Sequence, residues 1–105
     1  MNTKDYKIAV DLKEKLSKII TLIDFRVFGS RAREENNDDS DMDVFIETDQ
    51  VNREIKNKIQ DITWEVGFDN YMVISPLIFT KDEITNSPLR SSQIVKNILA
   101  EGVQV

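Results

Sequence analysis

The spacing of apolar residues changes several times along this chain, and these changes restrict its fold more than any other feature. The first 23 residues place apolar side chains on one helical face, including those of Ile8, Leu12 and Leu16. Strand-type runs follow at 25–28 and 42–47. The polar stretch between the two runs has no periodicity, so we predict a loop with one helical turn there.

A second helical pattern follows the second strand-type run. Thr48 and Asp49 are the candidate caps at its start, and Gly67 marks its predicted end. The apolar run 71–79 predicts a further strand, which Pro76 restricts to the edge of a sheet or to a bulge. The directions of the strands remain open, since the loop before the second strand allows either a hairpin-like pairing or a crossing.

The last part of the chain predicts one more helix, with its apolar face at 94–99 and its C-cap at Gly102. Residues 103–105 are able to add a short strand. The resulting order of helices and strands predicts an α+β fold: a small mixed sheet of three to four strands, with helices packed mainly on one face. We expect residues 1–105 to form a single domain.

The composition excludes several kinds of site. The chain has no cysteine and no histidine, which rules out disulfides, thiolate metal sites, a thiol nucleophile and histidine general bases. Any bound metal must therefore have oxygen ligands, which favours Mg²⁺, Mn²⁺ or Ca²⁺.

The charge and hydropathy of the chain limit the classes of partner that it is expected to bind. A net charge of −5 does not suit sequence-independent binding to nucleic acid, so direct nucleic-acid binding is not expected. The sequence contains neither a signal-like N-terminal segment nor an apolar stretch long enough to span a membrane. We therefore expect a cytoplasmic protein that does not interact with a membrane.

The most informative motif is Gly29-Ser30 followed, after ten residues, by Asp41-Met42-Asp43. A glycine at the end of a strand lets the backbone approach a ligand closely, and a following helical turn presents N–H groups to phosphate oxygens. Asp41 and Asp43 are two residues apart at the start of a strand, so their side chains point to the same face. Two such carboxylates repel each other unless a divalent cation lies nearby.

Two other interpretations of the acidic segment are weaker. Asp38 and Asp39 are best explained as a solvated acidic turn, as most runs of charge are. A calcium loop starting at Asp39 would need a glycine and a glutamate where the chain has Val44 and Gln50.

The motif VFGSRAR…SDMDVFIE resembles the minimal nucleotidyltransferase domains of the polymerase β-like superfamily. The resemblance implies that Gly29 and Ser30 hold the triphosphate of an NTP, and that Asp41 and Asp43 hold Mg²⁺ or Mn²⁺. It implies transfer of a nucleoside monophosphate, AMP from ATP being expected, to a hydroxyl group with release of pyrophosphate. Many such domains are antitoxins that adenylylate a partner, a helical toxin of the HEPN type.

The chain departs from this family in two places. Glu34 stands where the family often has glycine. The superfamily also supplies a third carboxylate from a later strand as a general base, and Ser75 occupies that position by alignment. Asp69 is the candidate substitute, with Glu65 as a weaker choice. The missing carboxylate leaves a second hypothesis open: a nucleotide-binding or metal-binding module with little turnover, acting as an antitoxin by covering its partner.

Two further residues have alternative interpretations. Arg31 either binds the phosphates of the nucleotide or balances the charge of the acidic loop. Trp64 lies off the main apolar stripe of the second helix. It is better explained as a flank of the core or as part of a partner surface than as a residue that stacks on a nucleobase.

Overall fold

A computed structural model of the protein describes residues 1–35, 37 and 39–105. The helices are α1 (Thr3–Ser17), α2 (Arg53–Asp69), α3 (Lys81–Asn86) and α4 (Gln93–Glu101), with a 3-10 turn at Pro88–Ser91. The strands are β1 (Leu22–Phe28), β2 (Met42–Thr48), β3 (Ile74–Thr80) and β4 (Val103–Gln104). No helix in the described ranges is long and apolar enough to cross a membrane.

Helix α1 begins where the side chain of Asn2 accepts a hydrogen bond from the backbone N–H of Asp5 at 2.8 Å. Its apolar stripe is fully or almost fully buried, as the periodicity predicted. The helix ends at Ser17, before the predicted stripe reaches Ile19 and Ile23, and both of these side chains are exposed. Strand β1 therefore starts three residues earlier than its sequence pattern indicated.

The four strands form one mixed sheet in the order β3-β2-β1-β4. Strand β1 is antiparallel to both β2 and β4, which settles the open question in favour of hairpin-like pairing. Strand β3 is parallel to β2, and α2 provides the crossover connection that parallel neighbours need. Pro76 is accommodated because β3 is an edge strand, as expected.

The two faces of the sheet are covered by different helices. Met42, Val44 and Ile46 of β2 join the main apolar core, together with buried residues of α1 and α2. The opposite face carries Asp43 and Phe45, and we call it the site face. Helix α4 lies on that side, because the side chain of Arg26, the partner of Phe45 in β1, donates to the carbonyl of Leu99 at 3.1 Å.

This arrangement confirms the predicted α+β fold with a small mixed sheet. The two long helices share one face, and the shorter α4 contributes Val95 and Ile98 to a second buried layer on the other. Gly102 is the C-cap of α4, and the short final strand is present, both as predicted.

The predicted cap of α2 was three or four residues too early, and its predicted end was two residues too early. Asn52 caps the helix by accepting from the N–H of Ile55, whereas Thr48 is still in β2 and buried. At the other end, Gly67 is a buried residue of the last turn, where an added Cβ would lie 2.7 Å from the Met72 carbonyl oxygen. Close packing of the chain against the helix, rather than helix termination, explains this glycine.

Candidate active site

Gly29 lies directly against the carboxylate of Asp43. Phe28, the last residue of β1, pairs with Asp43 in β2, so the chain leaves the sheet beside that carboxylate. Gly29 has a φ of +75°, and a Cβ at this position would lie 2.7 Å from Asp43 Oδ2. Both the left-handed backbone and the lack of space require glycine here.

A single helical turn follows Gly29. The N–H of Arg33 donates to the carbonyl of Gly29 at 3.2 Å, and that of Glu35 donates to the carbonyl of Ser30 at 2.9 Å. In such a turn the first N–H groups have no acceptor within the turn itself, so they are suited to binding an anion. Glu34 has a φ of +58°, the conformation that glycine would adopt with less strain.

Asp41 and Asp43 are close enough for their charges to interact. Burial raises the pKa of Asp43 above its usual value, and the charge of Asp41 raises it further. Within the described part of the chain, neither carboxylate forms an ion pair with a basic side chain. The sequence predicted that these two side chains share one face of a strand; Asp41 lies one residue before β2, and its charge acts on Asp43.

Ser75 is the neighbour of Asp43 in the adjacent strand. The parallel register of β2 and β3 pairs the two residues, so Ser75 also lies on the site face. Its hydroxyl donates to Asp41 Oδ2 at 3.5 Å, a long hydrogen bond. The strand position beside Asp43, to which the family resemblance assigns a third carboxylate, therefore carries a hydroxyl group.

Asp69 is placed differently from the other predicted site residues. It is the last residue of α2, the helix that covers the face of the sheet opposite to Asp43. It lines a cavity of about 600 Å³ whose wall also includes Asp39 and Ser40. The described contacts include none between Asp69 and either Asp41 or Asp43. Its role as a general base stays a prediction.

The side chain of Arg31 forms a buried ion pair. Its Nη1 atom donates to both carboxylate oxygens of Asp5, at 2.9 and 3.1 Å, and its Nε atom donates to the carbonyl of Ser40 at 2.9 Å. Arg31 is 5% exposed and Asp5 is 0% exposed. These contacts connect the turn after Gly29 to α1 and to the residue before Asp41, and they give Arg31 a structural role.

Asp5 is the residue of this region that the sequence analysis missed. It lies on the same stripe of α1 as the buried residues Ile8, Ala9 and Leu12, at helical spacing. An acidic residue on an otherwise apolar helix face is rarely buried without a partner, and this was the available signal. The other members of the acidic loop are less informative: Asp39 is exposed, and Asp38 lies outside the described residues.

The donor atoms at this site suit a divalent cation that is shared with a phosphate. Two carboxylates and a hydroxyl are hard oxygen ligands, and Mg²⁺ is usually held by one or two carboxylates together with substrate phosphates and water. Among the residues that the structure describes, no group of three or more acidic side chains could hold a metal ion by itself. Asp41 and Asp43 therefore fit a metal whose coordination the substrate completes.

Comparisons with known proteins identify the family of this chain and agree with its fold. The family model described as Nucleotidyltransferase domain matches residues 6–103. The solved structure of a presumed nucleotidyltransferase from Sulfolobus solfataricus has the same fold, with a TM-score of 0.52 and 19% sequence identity. That match covers 93% of this chain and 76% of the other. A search of curated proteins found no match. Because the family model spans almost the whole chain, this protein belongs to the nucleotidyltransferase domain family.

Proposed function

We propose that this nucleotidyltransferase uses Mg²⁺ or Mn²⁺ to transfer AMP from ATP to a hydroxyl group on a partner protein, a helical toxin of the HEPN type. The observation that carries the proposal is the contact between Gly29 and the carboxylate of Asp43, with Asp41 beside it. This contact brings two carboxylates next to a turn of the kind that binds phosphate groups. The AMP donor and the HEPN partner follow from the resemblance of the motif to minimal nucleotidyltransferases.

In the proposed complex, the backbone of Gly29 and the backbone and hydroxyl of Ser30 bind the phosphates. Asp41 and Asp43 are the protein ligands of the metal ion, which, when bound, neutralises charge on the phosphates. Arg31 keeps the turn and the start of β2 at a fixed distance through its contacts with Asp5 and the Ser40 carbonyl. The main task of the chain is thus to position the α-phosphate for in-line attack.

The reaction forms a bond between the acceptor oxygen and the α-phosphorus and breaks the bond to pyrophosphate, which leaves. The proton of the acceptor hydroxyl must pass to a base, and Asp69 is our candidate, with solvent as the alternative. The proposed setting is the cytoplasm, where ATP and Mg²⁺ are both available.

A titration of Mg²⁺ with a non-hydrolysable ATP analogue, followed by calorimetry, tests the proposed site. We expect metal-dependent binding in the wild-type protein and its loss in the Asp41→Asn/Asp43→Asn double variant. Asp49→Asn is the matched control, because Asp49 is exposed and follows the opposite end of β2. No binding in the wild-type protein, or binding that the double variant retains, would contradict the proposal.

The position of Ser75 favours a second candidate function. With a hydroxyl instead of a carboxylate beside Asp43, the site has no acidic group on β3 to accept the proton of the acceptor. The protein would then bind nucleotide or metal with little turnover and would neutralise its partner by covering it. Neutralisation that survives Asp43→Asn would favour this alternative, whereas neutralisation that the substitution abolishes would favour transfer.

A further inference from the structure

A group of large apolar side chains is exposed near the end of α2 and the start of β3. Trp64, Phe68, Tyr71 and Val73 are 69%, 66%, 97% and 61% exposed. We call this surface the aromatic groove. We propose that it binds a basic amphipathic helix of a partner protein, one with aliphatic side chains on one face and lysine or arginine at its borders.

The groove has the shape of a docking site. The rings of Trp64 and Phe68, one helical turn apart, are stacked with centroids 5.2 Å apart and an interplanar angle of 14°. Two adjoining cavities, of about 600 and 410 Å³, share Phe68, Met72 and Val73 in their walls. Contiguous apolar surface of this kind is rare on a monomer unless it binds something. Aromatic residues spaced by one helical turn are suited to packing against another helix.

The backbone at Tyr71 provides a second, independent observation. The N–H of Met72 donates to the carbonyl of Gly67, and that of Tyr71 donates to the carbonyl of Phe68, which is the Schellman pattern at the end of α2. Tyr71 occupies the left-handed position of this pattern, with a φ of +56°, where glycine is strongly favoured. Its side chain is 97% exposed, so the strain brings no packing within this chain.

The charges around the groove select the partner. Asp39 and Asp69 line the larger cavity, and Glu65 lies between Trp64 and Phe68 in sequence; all three are exposed. The basic side chain of Lys15 lies within range of the charges of Glu65 and Asp69. Its ammonium group, however, donates a hydrogen bond to Asp11 on its own helix. An apolar centre with acidic borders is complementary to an amphipathic helix with basic borders.

A second copy of this chain fits the groove less well than a basic partner. The chain carries a net charge of −5, and a symmetric contact would place the acidic borders of two grooves against each other. The proposal does not depend on nucleotidyl transfer. It would, however, place a bound partner beside the candidate active site, because Ser40 lines the larger cavity and directly precedes Asp41.

The test uses Trp64 as a reporter, since it is the only tryptophan in the chain. The probe is a designed amphipathic peptide of 18 or so residues made of leucine and lysine, and its counterpart replaces each lysine with glutamate. We expect the lysine peptide to shift Trp64 emission saturably to shorter wavelengths. We expect the glutamate peptide to bind at least about tenfold more weakly, which corresponds to about 1.4 kcal/mol.

Variants of the groove locate the binding. Phe68→Ser and Glu65→Lys should each weaken binding of the lysine peptide about tenfold, as expected for side chains central to an interface. Tyr71→Gly should weaken binding while raising the melting temperature of the protein, a combination that a purely structural role would not produce. Tyr6→Ser is the control, because Tyr6 is a half-exposed aromatic residue on α1 outside the groove.

Three outcomes would overturn the proposal. They are the absence of a shift in Trp64 emission, equal binding of the two peptides, and binding that Phe68→Ser leaves unchanged. Dimerisation of the protein without peptide, with Trp64 becoming shielded as concentration rises, would instead assign the groove to a second copy. No nucleotide or metal is present in these titrations, so their result is separate from the test of the proposed transfer.

Discussion

Two aspartates that flank the Gly29 turn have opposite environments. Asp5 is fully buried on α1, and its carboxylate receives two hydrogen bonds from the guanidinium of Arg31. Asp43 is partly buried on β2, where burial raises the pKa of its carboxyl group and the charge of another carboxylate, that of Asp41, raises it further. One negative charge is neutralised by the protein, and the other is left without a cation among the described residues.

The comparison teaches how structural and functional carboxylates can be separated. A buried carboxylate whose two oxygens both accept from an arginine stabilises one particular arrangement of the chain, and its charge is already neutralised by the protein. A partly buried carboxylate beside a like charge destabilises the fold and is ready to bind a cation. The same substitution, aspartate to asparagine, should therefore have opposite effects on stability at the two positions.

The largest effect is expected on the stability of the fold when Asp5, the carboxylate paired with Arg31, is replaced. Asp5→Asn would remove the buried carboxylate that accepts two hydrogen bonds from Arg31, and breaking a buried ion pair typically costs about 3–5 kcal/mol. Chemical denaturation should detect that loss as a lower free energy of unfolding. For a domain of this size, thermal unfolding should show a melting temperature lower by more than about 12 °C. Adding Arg31→Met should recover part of the stability, because the buried guanidinium is then removed together with its carboxylate partner. A loss below about 1 kcal/mol would contradict the distinction.

The next largest effect is expected on nucleotidyl transfer when Asp43, the carboxylate without a basic partner among the described residues, is replaced. If Asp43 is a metal ligand, Asp43→Asn should lower transfer of labelled AMP to the partner protein at least about a hundredfold, since metal stabilisation of transferring phosphates supplies several kcal/mol. Asp49→Asn should transfer label at the wild-type rate. Full activity of Asp43→Asn would remove Asp43 from the proposed metal site.

Gly29 connects the two regions, and its replacement should have an intermediate effect. Gly29→Ala would combine a left-handed backbone, which costs an L-residue about 1–2 kcal/mol, with a clash against Asp43 Oδ2. We expect lower stability in denaturation and weaker metal-dependent binding of the ATP analogue. Glu34→Gly is the matched control, because glycine suits the φ of +58° there; the substitution removes only the ion pair between the exposed Glu34 carboxylate and the N-terminal amino group, 3.5 Å apart. We expect a net stabilisation of up to about 1 kcal/mol; a destabilised Glu34→Gly variant would indicate that this ion pair outweighs the relief of backbone strain.

The smallest effect is on stability against pH in the metal-free protein. The pKa of Asp43 is raised above its usual 3.8 in the folded state, so the folded form binds the proton more tightly than the unfolded form. The ionised carboxylate therefore destabilises the fold above the raised pKa, and this penalty disappears as the pH falls below 3.8. Asp43→Asn should have a slightly higher melting temperature than the wild type at pH 7, with the difference vanishing in acid. A lower melting temperature at pH 7 would contradict this.

Much of the fold was predictable because the relevant signals are local. The period of the apolar residues identified the three longer helices and the strands, but not the six-residue α3, and Gly29-Ser30 with Asp41 and Asp43 identified the candidate site. The boundaries were less accurate. Asn52, rather than Thr48 or Asp49, caps α2, since Thr48 is needed to complete β2 and is buried there. Competition between neighbouring elements for the same residues is not visible in a single pattern.

The sequence by itself determined most of the segments that form helices and strands and the residues that are candidates for the chemistry, because side-chain period and motif spacing act over a few residues. Only the tertiary structure decided that Arg31 pairs with Asp5, that Ser75 stands beside Asp43, and that the aromatic side chains of α2 meet Tyr71 at one surface. The first two of these contacts, Arg31 with Asp5 and Ser75 with Asp43, join residues more than twenty-five positions apart. Their geometry depends on strand register and on how helices pack against the sheet, and both result from burial of the whole core rather than from any local pattern.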